Sequence, residues 1–418
     1  MKNKILKFPE GFLWGAATSA YQVEGGNQND WSEWEKKNAE RLADEARTKW
    51  APWQQEKFPE MFDPVNYISG RACDFYNRYE SDLDIAESLG LNAFRISIEW
   101  SRIEPREGKF DEREIEHYRK VLKAIRARGM EPFVTLWHFT NPLWLERLGG
   151  VESKKFTFYF SRYAERMAID FGKLVNCWTT FNEPTVIILK AYFRKEWPPA
   201  KKSIFSVIKM YRRFCKAHCE AYEKIHGVSK GKKVGMVSAL SSLEANNKKS
   251  FLDKSSLFIA DYFSNKKILD LIKGKNDFLG VNYYRRLKIK FPINLREYGE
   301  EITDLGWGIN PEGIYHILKN LKKYNLPIYI TENGLADTED KKRAKFIKDH
   351  LHWIHKAILE GADVCGYFHW SLLDNFEWDK GFWPRFGLVE MNYKTMDRKI
   401  RPSALEYAKI CKNNCLET

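Results

Sequence analysis

The 418-residue sequence contains no stretch that approaches 18 apolar residues, and its opening, M-K-N-K-I-L-K-F-P-E-G-F, lacks the apolar core of a signal peptide. It has no internal repeat, low-complexity segment or Gly/Ser-rich linker. Its seven cysteines are an odd number in a long chain and do not indicate a disulfide framework. These absences predict a cytoplasmic protein without a membrane partner, built as one domain over residues 1–418.

The charge balance is basic but dispersed. Lys and Arg number 69 against 56 Asp and Glu, which gives a formal net charge of +13. The lysines occur in short groups, often interleaved with acidic residues, as on solvated helix faces. A nucleic-acid-binding surface requires a concentrated basic stripe, so the sequence predicts no nucleic-acid partner.

Eight short apolar or β-branched segments recur along the chain and predict eight strands. They lie at 12–18, 91–98, 130–137, 175–181, 233–239, 277–283, 326–331 and 364–370.

Segments with helical periodicity separate several of these predicted strands. One example carries Ile115, Leu122 and Ile125 on one face. Helices followed directly by Gly90, Gly129 and Gly361 lead into the next strand, where a left-handed C-terminal cap favours glycine. Repeated helix, glycine and strand predict a single (β/α)8 TIM barrel, in which active sites lie at the C-terminal ends of the strands.

The longer stretches at 19–73, 184–232 and 284–325 are expected to form long βα loops and inserted helices on that C-terminal face. The first of them contains Trp31, Trp34, Trp50 and Trp53. These tryptophans form a rim or lid over a substrate, or they pack the long loop against the barrel. The sequence leaves both interpretations open.

Two glutamates lie where predicted strands end. Glu183 follows the fourth strand in T-T-F-N-E-P, and Glu332 follows the seventh in I-T-E-N-G. A buried, unpaired carboxylate is costly, so such positions require partners or a function. Two carboxyl groups across the mouth of a barrel suit glycoside hydrolysis, with inversion or retention set by their separation. For either glutamate alone, capping or salt-bridging its own loop is the commoner role, but two glutamates at matching strand ends favour catalysis.

The sequence resembles the family 1 glycoside hydrolases, the retaining β-glucosidase and β-galactosidase family, over nearly its whole length. The resemblance is carried by F-P-E-G-F-L-W-G-A-A-T-S-A-Y-Q-V-E-G at 8–25, F-R-I-S-I-E-W-S-R-I at 94–103, T-F-N-E-P at 180–184, D-F-L-G-V-N-Y-Y at 277–284, I-T-E-N-G at 330–334 and W-S-L-L-D-N-F-E-W at 370–378.

The resemblance implies double displacement through a covalent glycosyl-enzyme. Glu183 corresponds to the acid/base and Glu332 to the nucleophile, with Arg95 and Tyr284 as neighbours that keep Glu332 ionised. Glu183 is expected to hold its proton near neutral pH until the nucleophile is glycosylated.

The resemblance also implies a sugar-binding subsite made of Gln22, His138, Asn182, Trp370, Glu377 and Trp378. Asn182 resembles the residue that binds the 2-hydroxyl group. Members that act on 6-phosphosugars have a small residue in place of Glu377, whose charge would repel a 6-phosphate. We therefore expect a small-molecule substrate, an unphosphorylated β-D-glycoside or oligosaccharide. For Gln22 and His138 taken alone, a satisfied polar residue at a strand end is the simpler interpretation.

No metal or other cofactor is expected. Cys215, His218 and Cys219 share one helical face and Cys411 and Cys415 another, but the barrel order places the two helices apart. The histidines of H-L-H-W-I-H, His350, His352 and His355, lack the H-E-x-x-H zinc pattern and are expected to be solvated or packing residues.

Two alternatives remain for the function. A transglycosylase would use the same glycosyl-enzyme but pass the sugar to a bound acceptor. A non-catalytic carbohydrate-binding protein on the same scaffold would show a decayed acid or nucleophile, and both glutamates are present. The sequence makes no prediction of the oligomeric state.

Overall fold

The computed structural model describes residues 5–297 and 299–417. Eight parallel strands, numbered β1 to β8 along the chain, close into a barrel in the order β7-β8-β1-β2-β3-β4-β5-β6. The predicted (β/α)8 barrel is confirmed. The strands are Leu13–Ala17 (β1), Ala93–Ser97 (β2), Glu131–Trp137 (β3), Cys177–Asn182 (β4), Lys233–Ala239 (β5), Phe278–Tyr283 (β6), Ile328–Asn333 (β7) and Val364–Trp370 (β8).

Strand β7 extends two residues beyond the predicted end, so that Glu332 lies inside the strand. Glu332 stands opposite Asn282, and Asn333 stands opposite Tyr283, both on β6. The pairing therefore continues to the position of the carboxylate, which fixes its backbone more firmly than a loop would.

A long helix follows every barrel strand, and one more lies in the loop after β1. The glycines before β2, β3 and β8 have φ values of +73°, +70° and +86°, as the predicted left-handed caps require. The long helices are Asp30–Lys49 (α1), Phe75–Ser88 (α2), Glu112–Ala127 (α3), Phe156–Phe171 (α4), Ile204–Val228 (α5), Phe251–Asp261 (α6), Pro311–Leu321 (α7), Arg343–Leu359 (α8) and Pro402–Asn413 (α9).

Short helical segments connect these elements, mostly in the loops after the strands. They are Ala20–Val23, Pro52–Lys57, Pro59–Phe62, Pro64–Tyr67, Trp100–Ile103, Leu143–Arg147, Gly150–Glu152, Pro184–Ile187, Ile188–Phe193, Tyr262–Lys266, Lys267–Leu271, Lys322–Tyr324 and Trp378–Lys380.

Aromatic side chains fill the interior of the barrel. The ring of Phe133 lies 5.2 Å from that of Phe278, 5.3 Å from that of Tyr329 and 5.2 Å from that of Phe368. All four rings are buried, so the barrel is a packed core and not a channel. The aromatic layer therefore closes the barrel interior beneath the C-terminal ends of the strands.

Additional strands extend the fold beyond the barrel. Ser242–Ala245, Arg286–Lys290 and Asn294–Glu297 form a three-stranded sheet that grows from the C-terminal ends of β5 and β6. The stretch 284–325, expected to hold loops and helices, thus also contributes two strands. Elsewhere Ile5–Lys7 pairs antiparallel with Cys415–Glu417, and Val389–Met391 pairs with Arg398–Ile400. No helix in residues 5–297 and 299–417 is long and apolar enough to span a membrane.

Candidate active site

The two glutamates singled out from the sequence lie at one end of the barrel. Glu183 follows β4 directly, with a left-handed backbone (φ +46°) that is uncommon for a residue other than glycine. Such strained conformations cluster at functional sites, where the surrounding structure holds them. Glu332 lies on β7, three strands away around the barrel. Both side chains are buried.

Glu332 accepts one hydrogen bond on each carboxylate oxygen. Arg95 Nη1 donates to Oε1 at 2.5 Å, and the Tyr284 hydroxyl donates to Oε2 at 2.6 Å. Burial, followed by the nearby Glu332 and Glu183 carboxylates, raises the pKa of Tyr284 well above its usual value, so the phenol stays protonated. A guanidinium and a neutral hydroxyl donor both favour the ionised form of this carboxyl group.

Glu183 has a different environment. Asn282 Nδ2 donates to its Oε1 at 2.7 Å. Burial, and then repulsion from Glu332, raises the pKa of Glu183 to about 8. The Asn282 hydrogen bond and the charge of Arg95 oppose that rise without cancelling it. The two carboxyl groups therefore differ in environment, because Glu332 is bound by a cation and a phenol whereas burial favours the neutral form of Glu183.

Asn182 joins the two glutamates through a hydrogen-bond network. Its Oδ1 accepts from Arg95 Nη2 at 2.7 Å and from Asn282 Nδ2 at 3.2 Å. Its Nδ2 lies 3.1 Å from His138 Nε2, which accepts if the proton is on Nδ1. Burial and the neighbouring Arg95 lower the pKa of His138 well below its usual value, so the imidazole is neutral.

Asn282, in the penultimate position of β6, is a further polar residue of the site and was missed from the sequence. Its side chain orients Glu183 and contacts Asn182, while Thr331 Oγ1 donates to its Oδ1 at 2.7 Å. Its position could have predicted this role, because it is a polar residue at the C-terminal end of the sixth predicted strand.

Gln22 and Glu377 form a second polar group in the site. Gln22 Nε2 lies 3.4 Å from Glu377 Oε2 and donates more closely to Asn375 Oδ1 (3.0 Å) and to the Phe376 carbonyl (2.9 Å). Burial raises the pKa of Glu377 to about 7, against the opposing charge of Lys380. The Lys380 Nζ atom binds Asp379 Oδ1 at 2.8 Å.

Aromatic rings line the space around His138. Its ring lies nearly parallel to Trp370, with centroids 6.1 Å apart, and to Trp378, with centroids 6.0 Å apart. Trp378 also contacts Trp31 at a centroid distance of 4.8 Å. Trp31 is fully buried, so this residue packs the loop after β1 against the site. Two more rings complete this wall and were missed from the sequence, namely Phe139 and Trp197.

The structure thus brings all ten predicted site residues to the C-terminal end of the barrel. They come from seven of the eight strands or from the loops that follow them, which explains why they are scattered through the sequence. The residues are Gln22, Arg95, His138, Asn182, Glu183, Tyr284, Glu332, Trp370, Glu377 and Trp378.

The histidines considered as metal ligands make other contacts. His350 Nδ1 lies 2.8 Å from the Phe346 carbonyl, and His355 Nε2 lies 3.0 Å from the Lys7 carbonyl. His218 Nδ1 lies 2.7 Å from Thr180 Oγ1. Within the described ranges 5–297 and 299–417, no three His, Cys, Asp or Glu side chains are grouped to hold a metal ion.

A packed (β/α)8 barrel with two buried glutamates, a hydrogen-bond network around Arg95 and Asn182 and an aromatic wall at its C-terminal end is the arrangement expected of a glycoside hydrolase. Comparison with known proteins agrees. The sequence profile of glycosyl hydrolase family 1 matches residues 4–270 and 262–416. The chain therefore belongs to glycosyl hydrolase family 1.

Individual relatives match the chain along almost its full length. Beta-glucosidase A of Thermotoga maritima is 33% identical over 99% of both chains. The beta-galactosidase of Saccharolobus solfataricus is 30% identical over 99% of this chain and 96% of its own. Among solved structures, the beta-glycosidase from Pyrococcus horikoshii is 37% identical and superposes with a TM-score of 0.89 over 99% of this chain and 97% of its own. The predictions of the family and of a β-glycosidase are confirmed.

Proposed function

We propose that Glu183 is the acid/base and Glu332 the nucleophile of a retaining β-glycosidase that hydrolyses unphosphorylated β-D-glycosides. The observation that carries this assignment is the contrast between the two carboxyl groups. Glu332 accepts from a guanidinium and a phenol, whereas Glu183 accepts from a neutral amide and has a pKa raised to about 8. Different protonation states in two neighbouring carboxyl groups are the basis for assigning an acid and a base.

In the first step, the Glu332 carboxylate attacks the anomeric carbon while Glu183 gives its proton to the glycosidic oxygen, and the bond from carbon to that oxygen breaks. Asn282 occupies Oε1 of Glu183, which leaves Oε2 to carry the transferred proton. Formation of the ester neutralises Glu332 and removes the repulsion that helps to raise the pKa of Glu183.

In the second step, Glu183 is therefore a carboxylate that can accept a proton from water. The water oxygen bonds to the anomeric carbon, and Glu332 leaves as a carboxylate. Two inversions give a product with the β configuration. Arg95 and Tyr284 bind the Glu332 oxygens before attack and when the carboxylate is released, so they stabilise the free nucleophile at both ends of the cycle.

We assign the sugar subsite to Gln22, His138, Asn182, Glu377, Trp370 and Trp378. Within the described residues, His138 Nδ1 is buried without a hydrogen-bond partner and is thus a donor available to a sugar hydroxyl. Glu377 can accept from hydroxyl groups, while a substrate phosphate would meet its carboxylate and that of Glu332. Lys380 offsets this repulsion only in part, because it also binds Asp379.

The configuration of the first-formed product tests the double displacement. An aryl β-glucoside is hydrolysed in deuterated buffer, and the anomeric proton is followed by NMR before mutarotation. The β-anomer should appear first. Initial release of the α-anomer would contradict the assignment of Glu332 as nucleophile, because it indicates a single displacement by water.

We also propose that residues 1–418 form one domain, supported by the pairing of Ile5–Lys7 with Cys415–Glu417 and by closure of the barrel from strands spread over the chain. We further propose a cytoplasmic location, supported by the seven cysteines, all of which carry free thiols. Fractionation of the source cells tests the location.

A further inference from the structure

Helix α6 is oriented with its polar side towards the protein. Its buried residues are Asp253, Ser256 and Ala260. Its large apolar side chains point into solvent instead. The exposed fractions are 79% for Phe251, 52% for Leu252, 73% for Phe258 and 45% for Ile259, followed just beyond the helix by 39% for Tyr262 and 40% for Phe263. A surface helix of a globular protein normally shows the opposite arrangement.

Apolar side chains from two neighbouring segments extend this face. In the turn between Arg286–Lys290 and Asn294–Glu297, Phe291 donates its backbone N–H to Asp253 Oδ1 at 2.9 Å. At the N-terminal half of α5, the Tyr211 hydroxyl donates to the Phe263 carbonyl at 2.9 Å. The exposed residues contributed by these segments are Phe291 (51%), Ile293 (47%), Ile204 (58%), Phe205 (82%) and Ile208 (45%).

We name this set of eleven exposed side chains the apolar rim. Single exposed apolar residues are ordinary, but eleven on three adjoining segments mark an interaction surface. Helix α6 packs on the three-stranded sheet that grows from the C-terminal ends of β5 and β6. The apolar rim therefore lies at the same end of the barrel as the two glutamates.

Basic side chains surround the apolar rim. Residues 201–216 contain six Lys and Arg and no Asp or Glu. Of these, Lys202, Lys209 and Arg212 are exposed, as are Lys201 and Lys216, which pair with Glu152 and Glu220. Lys248, Lys249 and Lys254 are exposed on and just before α6. Helix α6 contains two acidic residues: Asp253 is buried and binds backbone N–H groups, and Asp261 pairs with Lys266.

We propose that the apolar rim docks the enzyme on an anionic lipid surface, with its phenylalanines inserted among the acyl chains and its lysines on the headgroups. An apolar face bordered by Lys and Arg is the pattern of helices that lie in a membrane interface. A second copy of the chain fits less well, because two apolar rims facing each other would bring their lysines together. The cations favour a partner of negative charge.

This proposal departs from the sequence prediction of no membrane partner. That prediction rested on the absence of a long apolar segment, which a spanning helix needs but an interfacial helix does not. Because the apolar residues come from three separate segments, none of them forms a long run in the sequence. Docking would hold the C-terminal end of the barrel, with its sugar site, against the lipid.

Flotation of the full-length protein with lipid vesicles tests the proposal. The vesicles contain phosphatidylcholine alone or an equal mixture with phosphatidylglycerol. A triple variant, Phe205→Gln, Phe251→Gln and Phe258→Gln, removes the most exposed rings of the apolar rim. The control variant removes three exposed apolar residues from the outer helices α4 and α8, namely Phe158→Gln, Ile169→Gln and Leu359→Gln, which are 59%, 62% and 73% exposed. Hydrolysis of a water-soluble aryl glycoside checks that all variants are folded.

The protein and its control variant should float with the mixed vesicles, and less with phosphatidylcholine alone. The triple variant should lose binding by about 20-fold or more, because each ring that stays in water forgoes apolar burial. Charge reversal at Lys248, Lys249 and Lys254 should cost roughly fivefold for each lysine, on mixed vesicles only.

Equal binding by the triple variant, or no binding of the unaltered protein to either vesicle, would overturn the proposal. The proposal is also overturned if vesicles fail to bind and sedimentation velocity shows dimers that the triple variant does not form. That outcome would assign the surface to a second copy.

Discussion

Arg95 holds Glu332 by a hydrogen bond of 2.5 Å between Nη1 and Oε1, and both side chains are almost completely buried. The second guanidinium nitrogen, Nη2, donates to Asn182 Oδ1. A single cation thus fixes the proposed nucleophile and the amide proposed to bind the sugar. A buried charge pair of this kind stabilises little by itself, but losing one partner leaves the other unpaired. Its main consequence is to hold the Glu332 carboxyl group, by donors on both oxygens, beside a Glu183 whose pKa is raised to about 8.

The pH profile of kcat/KM should report the proton on Glu183. Burial and repulsion from Glu332 raise its pKa to about 8, so the acid form persists through neutral pH and is lost above it. Activity should therefore fall on the alkaline side with an apparent pKa of about 8. Glu377→Gln should move this limb to lower pH, because the Glu377 carboxylate also raises the pKa of Glu183. An alkaline limb near pH 5 would contradict the assignment.

The free energy of unfolding should reveal the raised pKa of Glu183 independently of turnover. Since the folded-state pKa of Glu183 lies above the unfolded value of 4.5, folding favours the neutral acid. The contribution of Glu183 to the stability of the unaltered protein is therefore lost as the pH rises from 4.5 through about 8. Glu183→Gln is neutral at every pH and should be the more stable form at pH 9, by on the order of a few kcal/mol, with the difference vanishing near pH 4.

Thermal unfolding of Glu183→Gln at pH 4, 7 and 9 measures this difference. Glu40→Gln, on the exposed face of α1, is the control and should change the midpoint equally at each pH. If the unfolding midpoints of Glu183→Gln and the unaltered protein differ by the same amount at all three pH values, the pKa of Glu183 is not raised in the folded state.

Glu377 should control how the sugar is bound beyond the anomeric centre. Removing its carboxylate in Glu377→Ala deletes a charged acceptor, so kcat/KM for an aryl β-glucoside should fall roughly 10- to 100-fold. The corresponding β-xyloside lacks the 6-hydroxymethyl group and should lose less. The ratio of activity on the 6-phosphoglucoside to that on the glucoside should rise. Equal losses on glucoside and xyloside would place Glu377 away from the 6-hydroxyl.

The barrel was predictable from the sequence because its signals are local. Strands buried on both faces appear in the sequence as apolar segments. Glycine caps such as Gly90 (φ +73°) mark the ends of helices. The exposed surface of α6 was not predicted, because a helix that hides Asp253 and Ser256 and exposes Phe251 and Phe258 has the same periodicity as an ordinary amphipathic helix. Only tertiary contacts show which side is covered.

The residues of the active site likewise divide into those that local sequence signals predict and those that only tertiary contacts bring together. Glu183 and Glu332 were predicted because they lie near the C-terminal ends of predicted strands and in recognisable motifs. Asn282 and the ring of Trp197 act through contacts between residues far apart in sequence, the first across 99 residues to Glu183 and the second to Trp31 and Trp378. Such contacts depend on how loops from different strands meet, which periodicity does not encode.

Azide rescue tests the central assignment most directly. Glu183→Ala and Glu332→Ala should each lose turnover of an aryl β-glucoside, by roughly 10⁴-fold for the nucleophile variant. Azide should restore Glu183→Ala by attacking the glycosyl-enzyme, giving a β-glycosyl azide, and should restore Glu332→Ala by direct attack on the substrate, giving an α-glycosyl azide. Undiminished hydrolysis by Glu332→Ala, or the opposite pair of azide anomers, would contradict the assignment of Glu332 as nucleophile and Glu183 as acid/base.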